Sequence, residues 1–208
     1  VAKTNTTFTY ATDKINYSKD APGIHFVFIN IWPDSRNRSW LARDLKRVKP
    51  TTPVILFAHD PPVGDSKHFT NPYGVHDMNT TDKFENLLEE QYKVDAINPQ
   101  STVKEENGLV AFLKAHPNIK AYFHGHTNWT EFYTYKGPDK DISLPVFRSD
   151  SPMKGRLSAT DETKLSFQLV SIDTHTKKMT VRECLWNTDP RDPSKPIVWG
   201  TSATVSLK

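Results

Sequence analysis

A single cysteine, Cys184, stands in 208 residues, which excludes an internal disulfide framework and a thiolate metal cluster. It falls in a strand-like segment, where a small buried apolar residue is the expected role. No run approaches the ~18 apolar residues that a membrane helix needs, and residues 1–20 read as too polar for a secretory leader. Glycine is scarce, 8 against 15 prolines, so the connections should be numerous and stiff. Neither sign of charge dominates: 27 Lys and Arg against 24 Asp and Glu leave +3, spread along the chain. The one basic concentration, Arg36, Arg38, Arg43, Lys46, Arg47 and Lys49, falls on one predicted helix and reads as a solvated face. A nucleic-acid footprint would span several elements, so no such partner is expected, and no membrane partner either. Gly-x-Ser-x-Gly, phosphate-binding Gly-rich and Cys-x-x-Cys patterns are all missing, which leaves serine-nucleophile hydrolases and nucleotide-binding folds without support.

What is present is a globular composition, 36% hydrophobic and 25% charged, sized for one domain or one part of a domain. Residues 1–21 read as a polar connector with one strand possible at 6–11. Residues 24–31 form a nearly continuous apolar run, the pattern of a strand buried on both faces. A helix follows over 36–48, with Trp40, Leu41, Leu45 and Val48 on one stripe. The order strand, helix, strand implies a parallel pair with a right-handed crossover. Residues 60–82 carry three prolines, His68, Tyr73 and His76 without a sustained period, and read as a functional loop, a lid or substrate wall. Helices are predicted over 83–92 and 105–116. The rear of the chain, 131–208, reads as strands at 132–135, 143–147, 165–172, 179–186 and 197–205, with a hairpin turn at 173–177.

Two segments carry the chemistry. Residues 53–62 (PVILFAHDPP) and 119–128 (IKAYFHGHTN) are each short apolar runs that end abruptly in histidine and turn-forming residues. A buried strand of this kind delivers a side chain to the edge of a sheet, and two such strands side by side would bring His59 and His126 together. Neutral imidazole suits Mn, Fe, Ni or Zn.

The pair His59-Asp60-Pro61-Pro62 and Gly125-His126-Thr127-Asn128, preceded by the strand at 23–31 and the Trp40-Leu41 helix, resembles the second half of a calcineurin-like metallophosphoesterase. That family ends one strand in a lone metal-binding His and a later strand in Gly-His-x-His. The resemblance implies an α/β two-sheet sandwich flanked by helices (αββα), with 22–130 as the metal-ligand half and the β-rich 131–208 as the outer sheet. It implies two transition-metal ions, divalent or trivalent, with His59 and His126 on one and Asn128 in the place of a ligand to the other. Asn128 stands where the family has a second His, and its amide oxygen is a weaker donor. The implied reaction is phosphomonoester or phosphodiester hydrolysis by a hydroxide shared between the ions. The family's first three blocks, Asp-x-His, Gly-Asp-x-x-Asp and Gly-Asn-His-Asp/Glu, have no match here, so an upstream segment of the same domain is the expected partner and the chain alone is expected to be inactive. His76, Lys154 and Arg156 are further candidates for holding the substrate's phosphate, with Asp150 in the same polar loop as the latter two. His124 reads as the last buried residue of its strand, and His25, His116 and His175 as structural. The alternative reading is a noncatalytic, metal-poor binding or assembly module on the same fold. Five Asn-x-Ser/Thr sequons, at Asn5, Asn16, Asn37, Asn79 and Asn128, would be acceptors in a eukaryotic secretory protein, but in a chain this rich in Asn, Ser and Thr chance supplies most of them; the reading leans towards an exported or periplasmic protein.

Overall fold

The structure, a computed structural model, describes residues 16–64, 99–151 and 154–208. The expected strand at 6–11, the helix at 83–92 and most of the 60–82 loop, including His68, Tyr73 and His76, lie outside the described residues. Eleven of the elements matter here: β1 (Tyr17–Ala21), β2 (Ile24–Phe28), α1 (Ser35–Leu45), β3 (Val54–Phe57), α2 (Pro99–Ala115), β4 (Ile119–His124), β5 (Glu131–Tyr135), β6 (Leu144–Arg148), β7 (Ser166–Asp173), β8 (Lys178–Leu185) and β9 (Val198–Ser206). The chain is mixed α/β. Six strands form one mixed sheet in the order β1-β2-β3-β4-β6-β5, and β7-β8-β9 form a separate antiparallel sheet. No described helix is long and apolar enough to cross a membrane.

Strand alternation sorts the apolar residues onto two faces. Val54 and Leu56 of β3, Tyr122 of β4 and Val146 of β6 pack under the helices, against Leu41 and Leu45 of α1 and Leu109, Val110 and Leu113 of α2. Ile55, Ala121, Phe123 and Phe147, the alternate residues of the same strands, face Met179, Val181, Val205 and Leu207 of the second sheet and its end. The result is three layers: helices, six-stranded sheet, three-stranded sheet. The central strands β2, β3 and β4 run parallel and are covered on both sides, which is why they lack a polar alternation.

An aromatic ladder crosses all six strands. Tyr17, Phe28, Phe57, Phe123 and Phe147 stack in register at centroid separations of 4.6, 4.8, 4.9 and 4.8 Å, and Phe132 meets Phe147 edge to face at 5.1 Å. Cross-strand aromatic pairs contribute roughly 0.2–1 kcal/mol each, so the row fixes strand register as well as adding stability. Its rungs lie where β3 and β4 run out, two residues before His59 and three before His126.

Several expectations from sequence require correction. Residues 17–21 are a strand rather than connector: β1 pairs antiparallel with β2, and His25, fully buried, bridges them by bonding Asp20 through Nδ1 and Asp44 of α1 through Nε2, both at 2.7 Å. The division at residue 131 also moves. β5 and β6 join the first sheet, with β6 parallel to β4, because Phe147 and Phe132 continue the ladder, and the second sheet begins only at Ser166. Arg38 does not belong to a solvated basic face. It bonds buried Glu105 of α2 at 2.7 Å and the Pro33 carbonyl at 2.8 Å, tying the two helices together. The sequon at Asn37 is sealed inside, since the residue is 1% exposed and its amide nitrogen donates to the Trp32 carbonyl.

Candidate metal centre

β3 and β4 are neighbours, and the ladder of hydrogen bonds continues past their ends. The Ala58 N–H donates to the Phe123 carbonyl, Gly125 N–H to the His59 carbonyl, and His59 and Asp60 N–H groups to the Ile31 carbonyl, at 2.9 to 3.1 Å. Trp32, fully buried, donates its indole N–H to the Pro61 carbonyl at 3.0 Å, and the Tyr122 hydroxyl donates to the Asp60 carbonyl at 2.9 Å. The two turns are thereby fixed to each other through the sheet. Four backbone bonds, the Tyr122 hydroxyl and a buried tryptophan hold His59 and His126 on one edge.

The His126 Nδ1 lies 3.3 Å from the His59 Nε2, with the rings edge to face at a centroid separation of 5.2 Å. Two nitrogens each ~2.0–2.1 Å from a tetrahedral ion lie roughly 3.3–3.4 Å apart, so the spacing is that of two ligands on one ion. The Asp60 Oδ1 completes a group of three, 3.5 Å from the His126 nitrogen and 4.0 Å from that of His59. The Asp60 side chain is fully buried, the His126 side chain 12% exposed and that of His59 57% exposed. A deeply buried carboxylate against two imidazoles fits a cation chemically, because an ion at their focus would compensate the charge and take one donor atom from each. The 4.0 Å separation exceeds the tetrahedral spacing, and His59, on the open side, is the donor with room to move.

No protein-family model matches the chain, and no curated protein matches it.

The loop 125–130 that carries His126 has two residues in the left-handed region, His126 at φ 67° and Asn128 at φ 54°. His and Asn are among the residue types that tolerate it, at a cost that the surroundings must offset. Arg148, at the end of β6 and 6% exposed, holds the loop. It donates from Nη1 to the Thr127 hydroxyl at 2.9 Å and from Nε to the Trp129 carbonyl at 3.2 Å, pairs with Glu131, and lies over the Trp129 ring at 3.7 Å. Burial lowers the guanidinium's proton affinity.

His124 is the last buried residue of β4, as expected. Its Nδ1 must donate, because its partner at 3.0 Å is the Gly125 carbonyl; its Nε2 then accepts from the Tyr133 hydroxyl at 3.0 Å. Burial pushes its pKa down to about 4, helped by the charges of Arg148, His126 and His59. His124 is therefore neutral at pH 7 and orients the turn through these two bonds.

Asn128 sits two residues beyond His126. Its carbonyl accepts the Arg156 N–H at 2.8 Å. Arg156 thus leans on this loop and lines a second cleft with Trp129, Asp150 and Leu157, whereas Lys154 is exposed. Asp150 itself organises its own loop, accepting from the Ser151 N–H at 2.7 Å and the Ser158 hydroxyl at 2.8 Å. Sequence reasoning missed Asp60, although it adjoins His59: strict strand alternation would send the two side chains to opposite faces, and only the turn after Phe57 lets both serve one site. Arg148 carried no signal beyond being a charge at a strand end.

Proposed function

We propose that this chain is the C-terminal part of a calcineurin-like metallophosphoesterase domain, hydrolysing phosphomonoesters or phosphodiesters once an upstream segment completes its site. The observation that carries the reading is the 3.3 Å approach of His126 Nδ1 and His59 Nε2 at neighbouring parallel strand ends, the arrangement that their motifs imply. The two stacked sheets with helices on one side are compatible with the αββα sandwich of that family, which remains part of the proposal.

In this reading His59, Asp60 and His126 hold one transition-metal ion, Mn, Fe, Zn or Ni, and Asn128 stands in the place of a ligand to a second. Bound metal would supply positive charge to phosphate oxygens and make a water nucleophilic at neutral pH. The chain's own residues supply the rest of what is described: Asp60 contributes a carboxylate from a buried position, Arg148 fixes the His126 loop, and His124 bonded to Tyr133 orients the turn. One observation favours the noncatalytic rival. The described donor set has three members, sufficient for one ion but short of the ligands and bridging carboxylate that two adjacent cations require.

The test is phosphate binding. With Mn(II) present, the chain should broaden the phosphorus resonance of inorganic phosphate beyond the effect of free Mn(II), and His126→Ala should abolish the excess. No protein-dependent broadening would favour the noncatalytic module.

A further inference from the structure

Two imidazoles and one carboxylate are a donor set that proteins use in two ways. Catalytic zinc takes three such ligands around a roughly tetrahedral ion and keeps a fourth position open, whereas non-haem iron takes them on one triangular face of an octahedron. The spacing of the donor atoms separates the two. Bonds of ~2.1 Å at right angles put each pair of donors roughly 3.0 Å apart, and at tetrahedral angles roughly 3.4 Å. Among His59 Nε2, Asp60 Oδ1 and His126 Nδ1 the separations are 3.3, 3.5 and 4.0 Å, all wider than an octahedral face. A point equidistant from the three atoms lies roughly 2.1 Å from each, a normal bond length, and every angle subtended there exceeds a right angle. The donors therefore encircle that point instead of capping it from one side. His59, the exposed member, reaches the tetrahedral spacing by a smaller swing than an octahedral face would require.

We propose that His59, Asp60 and His126 hold one four-coordinate ion of the Zn(II) type, with its fourth position open to a small anion or water. The inference rests on the reading above for the presence of an ion at these donors, and adds to it the metal, the coordination number and the open position. Side-chain exposure is graded across the group, 0% for Asp60, 12% for His126 and 57% for His59, so a ligand reaches the donors from the His59 side. Among the described residues the group has three members, which leaves the fourth bond to an exogenous donor. Two neutral imidazoles and one carboxylate give a divalent ion a net positive charge, and the donor it attracts is then an anion or water. Mn(II) favours octahedral oxygen sites and Ni(II) square-planar or tetragonal ones, so both fit this spacing less well than Zn(II).

The experiment loads the metal-free 208-residue chain with Co(II), whose visible bands are intense in a four-coordinate site and weak in a six-coordinate one. Intense bands are expected, and they should disappear in His59→Ala and in His126→Ala, with folding checked by circular dichroism. Sodium azide and inorganic phosphate should each shift the bands by entering the open position. In competition, Zn(II) should bind at least tenfold more tightly than Ni(II). Weak six-coordinate bands, or Ni(II) binding as tightly as Zn(II), would overturn the four-coordinate assignment while leaving a metal centre in place. Intense bands that neither anion moves would overturn the open position. Bands that move with azide but not with phosphate would support the inference and count against the phosphoesterase reading. No binding of Co(II) or Zn(II) would overturn the inference together with the metal centre on which it rests.

Discussion

Replacing Arg148 by Met removes the side chain that holds the His126 loop in its left-handed conformation while keeping most of the buried apolar stem. The guanidinium gives two hydrogen bonds to neutral acceptors, Thr127 Oγ1 and the Trp129 carbonyl, and lies over the Trp129 ring. A hydrogen bond from a charged group contributes roughly 1.5–3 kcal/mol, and a partly desolvated cation–π contact about 1–2 kcal/mol. The pair with Glu131, whose side chain is 46% exposed, adds little in water. Offsetting these, the desolvation of a nearly buried guanidinium is relieved by the substitution. The net loss should be about 2–4 kcal/mol, a large share of a marginal stability, read as a lowered urea midpoint at unchanged slope. Arg148→Lys keeps the charge but not the fork, and should fall between. Because the loop carries His126 and not His59, Mn(II) affinity should fall about tenfold in both variants. A urea midpoint within error of wild type, together with unchanged Mn(II) affinity, would refute the role given to Arg148.

Two further predictions follow from the packing and the titrating groups. A Cβ at Gly155 would collide with the Asp150 carboxylate and the Ser158 hydroxyl, which are bonded to each other across it, so Gly155→Ala should cost about 1–3 kcal/mol by the same urea assay; an unchanged midpoint would mean that this loop is not as close-packed as described. Burial pushes Tyr133 up to about 12, and burial raises Tyr122 and Tyr135 too, helped by Asp60 and by the bond to Glu106 respectively. Each is neutral in the fold where an unfolded tyrosine, with pKa about 10, ionises. The stability they contribute is thus complete below pH 10 and is lost as pH rises from 10 through about 12; absorbance at 295 nm should show these three ionising only above the unfolded range or on unfolding, and titration of all seven tyrosines near pH 10 in the folded chain would contradict it.

Much of the first sheet was legible because buried parallel strands have an unmistakable pattern. The runs at 24–31, 53–57 and 119–124 are largely apolar, interrupted only by His25, Asn30 and Lys120 before the abrupt change to His and turn residues that marked the site edge. The approach of His59 to His126 followed from that alone. β1 was not legible, since Tyr-Ser-Lys-Asp-Ala has weak strand preference and forms by pairing with β2, by the Tyr17 rung and by His25 bridging Asp20 and Asp44. The start of α2 at Pro99 was placed six residues too late, although proline is well suited to the first turn of a helix. The allocation of β5 and β6 to the first sheet was also hidden: their local pattern announces strands, but the partner is chosen by contacts distant in sequence, here Phe147 against Phe123 and the β6 pairing with β4. Asp60 was overlooked because its neighbour His59 drew the whole argument, and its burial is a tertiary property.

The most direct measurement is calorimetric titration of the metal-free chain with Mn(II) or Zn(II), set beside His59→Ala, Asp60→Asn and His126→Ala. Three donors converging on one point predict one ion per chain, at least tenfold weaker binding when any one of the three is changed, and no comparable loss in His175→Ala, an exposed histidine of the β7–β8 turn. Binding that is absent, or that survives all three substitutions unaltered, would contradict the assignment of His59, Asp60 and His126 as a metal centre.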